Sequence, residues 1–326
     1  MSVIPIDRPS AALDQSPAPR RLVSQPPAGP SRATVSLVDC QAHDSPFGLL
    51  VREAAASNKV EPRALAVRTL LHLPRVAGHR GQISWRQIHT ELRRRSAELL
   101  ADQKKVQRLI PTGSFKLQDL RFVADYSSDN AAEIFNHLHY LRSARPGSLN
   151  YALVDPYYGL PISLCSVSPL EWRRVGRQIN SQFGVAMEAV WDISRVYSFD
   201  VAPANAISYL LARVRNDLRQ RVPEAQLLST AVDPNLGFTG SSYLAANWQR
   251  WMTIKPRPYL YFENGYVSPR QLRSRFETTN VSELRAAYGT KFEQSRAPLR
   301  DSMIFCCRIK GETEFVPQDL QRRLHR

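Results

Sequence analysis

The residues best suited to chemistry gather around one strand–turn–helix, residues 190–221, and the Gly-Ser-Ser turn at 240–242. Asp200 ends the apolar run 190–201, and ligands in open α/β sheets collect beyond the carboxyl ends of strands. Its carboxylate would either orient an incoming amine and accept its proton, or cap the next helix against the positive end of its dipole. Ser194 and Arg195 lie on that strand with side chains on opposite faces. A guanidinium among apolar neighbours needs an anionic partner, either a protein carboxylate or a ligand. The turn holding Val201, Ala202, Ala204, Asn205 and Ala206 leads straight into a helix, whose bare N–H groups suit an anionic group. Tyr243 follows Gly240, Ser241 and Ser242, where it is a packed aromatic unless the fold turns its hydroxyl toward a ligand. Ser241, Ser242 and Asn247 are either ligand contacts or solvated and capping polar groups.

The surrounding elements are legible from periodicity. A helix from about 204 to 221 is followed by an apolar run at 225–232 and a short helix at 240–248. Upstream, 117–126 reads as a strand and 131–143 as an amphipathic helix. Residues 149–155 and 160–167 read as strands joined by the hairpin turn Pro156-Tyr157-Tyr158-Gly159. Residues 168–184 form a helical interlude. Downstream, 259–268 reads as the last long strand with Asn264-Gly265 as its turn. Two short helices fill 268–289, and 302–309 closes the sheet. The expected class is α/β, a mixed central sheet flanked by helices. It carries a basic helical extension at 46–112, after a Pro-rich tail at 1–45 that buries little and is expected to be disordered. The folded domain then covers 113–310, and 311–326 is a C-terminal tail.

Charge narrows the partners. The 44 Lys and Arg exceed the 29 Asp and Glu by 15, which favours a polyanion, most simply nucleic acid. The extension has Arg86, Arg93, Arg94, Arg95, Lys104 and Lys105 on the polar faces of its helices, which are either solvated or in contact with phosphates. Near the C-terminus Lys255, Arg257, Arg270, Arg273 and Arg275 alternate with Trp248, Trp251, Tyr259, Tyr261, Phe262 and Tyr266. Interleaved cations and rings suit a nucleic-acid surface, whereas one buried aromatic face would explain the rings alone. Cys40, Cys165, Cys306 and Cys307 form no CxxC pair, and the histidines lack ligand spacing, so no metal site is expected. No apolar run reaches the roughly 20 residues of a bilayer span, and no leader is visible. Reduced thiols, a cytoplasmic location and no membrane partner are the expectation. The sequence leaves the oligomeric state open.

The order of elements from 117 to 310 resembles the GNAT-type N-acyltransferase superfamily. The glycine-bearing turn that in that superfamily cradles the pyrophosphate of coenzyme A is here Val201-Ala202-Pro203-Ala204-Asn205-Ala206, without glycine. A narrower similarity is to the phage Mom-type proteins, a branch that modifies adenine in DNA. It rests on the glycine-free strand–turn at 193–208, on GSSYLAANW at 240–248, and on YLYFENG followed by the helices at 268–289. The resemblance implies transfer of a small acyl or glycinamide-like group to N6 of adenine, from acyl-CoA or a related activated acyl donor. It also implies Tyr243 as the group that protonates a departing thiolate; Asp200 and Ser194, read from their places on the strand, are the other catalytic candidates. Two other readings stay open: an acyl-CoA N-acyltransferase acting on a small-molecule or protein amine, and an inactive fold of this type that only docks DNA.

Overall fold

A computed structural model of the chain describes residues 34–42 and 44–311. The N-terminal part consists of β1 (Thr34–Ser36), α1 (Leu37–Cys40), α2 (Pro46–Asn58), α3 (Pro62–Val76), β2 (Gln82–Ser84) and α4 (Trp85–Lys105). Local chemistry sets these boundaries. Ser45 caps α2 with Pro46 in its first turn, and Pro62 opens α3, where a missing N–H costs nothing. Ser84 and Gln87 form a reciprocal capping box at the start of α4. Residues 34–42 fall within the stretch expected to be disordered, yet they are folded. β1 pairs antiparallel with β2, and Leu37 and Cys40 are buried against the helices. The reason is apolar content: Val35, Leu37 and Cys40 recur at the end of a polar segment, and the later strand β2 supplies their partner. The rest of the expected tail, 1–33, and nearly all of 311–326 lie outside the described residues.

Downstream come β3 (Arg121–Val123), α5 (Ser128–His137), β4 (Leu149–Val154), β5 (Pro161–Pro169) and α6 (Arg173–Phe183). They are followed by β6 (Val190–Ser198), α7 (Ala206–Arg221), β7 (Leu227–Val232), α8 (Ser241–Ala245) and β8 (Gln249–Ile254). The chain continues through β9 (Leu260–Phe262), β10 (Gly265–Tyr266), α9 (Pro269–Phe276), α10 (Val281–Tyr288), β11 (Phe292–Gln294) and β12 (Ser302–Arg308). A seven-stranded sheet has the order β3-β4-β5-β6-β7-β12-β8. Its strands run antiparallel except β6 and β7, which are parallel. The molecule is therefore mixed α/β with a central mixed sheet flanked by helices, as expected.

Both sheet faces are buried, and β5 is covered along its whole length except its last residue, its serines included. In β4, Tyr151 and Leu153 face the core that holds Leu210, Leu211 and Val214 of α7. Ala152 and Val154 face the opposite core, shared with Leu65 and Leu71 of α3 and Leu92 and Leu99 of α4. The helices of 46–105 thus complete a core whose other half is the sheet.

Three elements depart from expectation. Residues 259–268 do not extend the central sheet; β9 and β10 pair with each other, and β9 with β11, in a separate small sheet. The turn between β9 and β10 is Glu263–Asn264, both left-handed (φ 49° and 69°), one residue earlier than the Asn-Gly signal suggested. The edge strand beside β12 is instead β8, which buries Trp251 and Met252. The strand expected at 117–126 shrinks to β3, because residues 117–119 form a 3-10 turn.

Candidate functional site

The parallel strands β6 and β7 are in register only from Val190–Leu227 to Asp192–Ser229. Past that point their pairing ends, and a cavity of about 510 Å³ lies between Ile193–Ser198 on one side and Thr230–Val232 on the other. That volume is typical of small-molecule and nucleobase sites. The far wall is the turn into α8. Gly240 sits there at φ +79°, and a Cβ at this position would meet the Phe305 ring at 2.3 Å. Only glycine satisfies both demands. A second groove of about 260 Å³ runs past the start of α7. Arg63, Ser198, Ile207, Ser241 and Ser242 form walls of both, so the two make one cleft.

The groove is built from the expected turn. Ala202, Ala204, Asn205 and Ala206 line it, and no side chain caps α7. Asn205 is left-handed (φ 65°), a conformation asparagine tolerates better than most residues, so the turn closes without glycine. The first-turn amides of α7 therefore face a groove kept open by small side chains. Val201 does not line it; this residue packs between the two cores.

Tyr243 lies in the cavity wall, its ring stacked on Phe305 (5.6 Å between centroids) and edge-on to Trp248 (5.3 Å). Its hydroxyl is 3.5 Å from Thr230 Oγ1, and burial pushes its pKa up, so it stays protonated. Ser194 also lines the cavity and donates to the Ser166 carbonyl at 3.2 Å. Asp200 does not reach either cavity. It caps a helix, but not the one that follows it. Its Oδ2 accepts the Arg63 N–H (3.3 Å) at the start of α3, and burial raises its pKa. The chain turns away at residues 199–202 before α7 begins, so the carboxylate meets the N-terminal helix instead.

Arg195 is buried, and the expected carboxylate partner is not there. Its guanidinium donates to the Ser143 carbonyl (2.8 Å), Ser143 Oγ (3.0 Å) and the Ser194 carbonyl (2.5 Å). Among the described residues no carboxylate lies within ion-pair distance of it. Desolvation lowers its pKa, and the cavity wall carries a cation whose direct hydrogen bonds go only to neutral oxygens, with Asp192 acting on it at longer range.

Several groups were missed by sequence reasoning. Tyr197 of β6 lines the cavity, and its hydroxyl donates to Glu61 Oε2 at the start of α3. Burial raises the Glu61 pKa to about 7 against the opposing pull of that hydrogen bond. His139 and Tyr140, just past α5, line the same wall. Burial holds His139 far below the usual imidazole range, and its Nδ1 accepts the Leu141 N–H at 3.2 Å. Burial raises Tyr140 to about 12. Arg63, a wall residue of both spaces, sits on a helix that appeared to belong to another domain.

The cations expected to touch nucleic acid line neither cavity. Arg270 is tied to Glu171 (3.0 Å), and Arg275 lies over the rings of Phe262 and Phe276 (5.4 and 5.3 Å). Arg273, Lys255 and Arg257 are exposed. The interleaved aromatics are mostly core: Trp248, Trp251, Tyr259 and Tyr261 are buried. Arg95, placed with the basic face of α4, is buried too, donating to Glu98 at 2.8 Å. Among the described residues no group of three or more His, Cys, Asp or Glu could hold a metal ion, and no helix is long and apolar enough to cross a membrane.

No curated protein matches the chain. The family model of the Mom protein family matches residues 121–300, more than half of the sequence and every strand of the central sheet but β12.

Proposed function

We propose, since this chain belongs to the Mom protein family, that it modifies DNA by transferring a small acyl or glycinamide-like group to an amine, N6 of adenine. The reaction would occupy the opening between β6 and β7. The observation that carries this reading is the joining of two spaces: a groove facing the α7 amides, and a base-sized cavity holding Tyr243. In this reading the groove takes the anionic part of an activated acyl donor such as acyl-CoA, held by the first-turn amides at Ile207 and Ser208 and by Arg63. The donor supplies an electrophilic carbonyl. The architecture is compatible with the GNAT-type acyltransferase scheme, in which an amine attacks between splayed parallel strands.

The chain's own groups would divide the proton work. As the amine nitrogen forms its bond to the carbonyl carbon, Tyr197 takes the amine proton while passing its own to Glu61. Arg195 faces the negative charge that develops on the carbonyl oxygen. As the bond to the leaving group breaks, Tyr243 gives that group a proton. Ser194 orients the acceptor. Nucleoside mass spectrometry of DNA from cells expressing the chain tests the reading. A new adenine-derived nucleoside, lost with Tyr243→Phe, supports it. Unmodified DNA together with acyl-CoA retained on the purified protein would favour a small-molecule or protein amine as acceptor instead.

A further inference from the structure

The hairpin turn between β4 and β5 does something the cleft does not require. Tyr157 and Tyr158 at its tip are each 85% exposed, the most exposed large apolar side chains among the described residues. The turn that carries them is rigid. Asp155, buried at its base, accepts the amide hydrogens of Tyr157 (2.9 Å), Tyr158 (2.7 Å) and Leu160 (2.7 Å). The Asp155 N–H returns to the Leu160 carbonyl at 2.9 Å, and Gly159 supplies the left-handed residue (φ +68°). A loop this constrained holds two apolar rings in water, which is unfavourable unless something receives them.

Topology places this tip beside the cleft. β5 runs antiparallel to β6 with Ser163 opposite Ser198, and Phe199 N–H bonds the Ile162 carbonyl. The turn therefore projects from the edge where β6 ends and the groove begins. At roughly 3.3 Å per residue, Tyr158 stands within about 17 Å of Ser163, which lies directly across from Ser198, a wall residue of both spaces. Cations flank it: Arg121 is exposed opposite Val154 on the neighbouring strand, and Arg63 is exposed at the mouth of the cleft.

We propose that Tyr157 and Tyr158 form an aromatic wedge that enters duplex DNA beside the base delivered to the cleft. This rests on the reading that DNA is the substrate. An amine inside a stacked pair cannot reach a cavity in the protein, so the base must be unstacked first. Two flat rings on a stiff tip can take the vacated stacking place, while neighbouring arginines hold the phosphates. The cationic surroundings and net charge of +15 select a polyanion over an apolar protein face.

The test compares wild type with the double variant Tyr157→Ser/Tyr158→Ser. Both positions are exposed, so the variant keeps the wild-type Tm. Relaxed plasmid is incubated with protein and a topoisomerase, and the linking-number shift is read on a gel; a mobility shift on the same DNA gives the Kd. The wedge predicts a clear shift for wild type and at least a tenfold smaller one for the variant. The variant's Kd weakens by no more than about tenfold, and Tyr157→Trp/Tyr158→Trp restores the shift. Equal unwinding by wild type and the serine variant overturns the proposal, as does plasmid binding without any change of topology. Failure of wild type to bind plasmid sinks the DNA reading as well. Tyrosine-dependent sedimentation with anionic phosphatidylglycerol vesicles, without unwinding, assigns the tip to a membrane surface and also overturns it.

Discussion

Glu61 carries most of the pH behaviour expected of this protein. Buried against Tyr197, its carboxyl titrates near about 7 rather than in the usual carboxylate range. A raised folded pKa means the folded state holds the proton more tightly than the unfolded chain. The stabilisation is complete below the ordinary glutamate pKa of about 4.5 and is lost as pH rises through about 7. Tm should therefore fall between pH 5 and pH 8 more steeply for wild type than for Glu61→Gln, by several °C, about 2 kcal/mol. Equal slopes in the two melting series would show that Glu61 is not the group responsible. Activity has the opposite sign, since the proposed relay needs ionised Glu61. The rate of transfer should rise through about pH 7 and lose that dependence in Glu61→Gln. Arg195 makes a second residue-scale prediction. Arg195→Gln should lower modification by roughly 10²-fold, in the range of a lost transition-state donor, and Arg195→Lys should recover part of it. Unchanged product yield in the glutamine variant would remove Arg195 from the chemistry. Arg195 stood out in the sequence, but the Glu61–Tyr197 pair did not, because its members lie 136 positions apart.

At the scale of elements, the strand–turn–helix of β6 and α7 was legible because a nine-residue strand rich in apolar residues is followed, after a short turn, by a 3.6-period helix. Its opening was not. Divergence of β6 from β7 depends on where pairing stops, and no local pattern encodes that. The edge strand β8 went unread because Gln249–Ile254 follows a helix of only five residues, and its aromatics looked like a surface. The turn into α8 is the element on which the cavity's far wall depends. Gly240→Ala forces a left-handed alanine, costing about 1–2 kcal/mol, and drives its Cβ into Phe305. Phe305 or α8 then has to shift, moving Tyr243. The expected outcome is a Tm lower by several °C and loss of product, measured on the same preparation; wild-type values for both would mean the wall is not built as described.

Across the whole molecule, the N-terminal helices and the sheet are held together by more than apolar contact. Asp102 of α4 is buried between Arg68 of α3 (2.8 Å) and Arg142 beyond α5 (3.0 Å). Asp102→Ala strands the buried Arg68 guanidinium and should cost about 3–5 kcal/mol, read as a shift in urea midpoint. The basic composition was plain from sequence, but which cations are free was not, since Arg68 and Arg95 are buried and Arg270 is engaged. Exposed Arg63 and Arg121 should each contribute about one unit to the salt slope of DNA binding, seen as a shallower log Kd against log salt in Arg63→Ala and Arg121→Ala. The most direct measurement fills the opening between the two parallel strands: modified nucleoside is quantified in DNA from cells expressing Ser194→Phe. The prediction is a folded protein with wild-type Tm within a few °C and no detectable product. Wild-type product from that filled cavity would contradict the account at its centre.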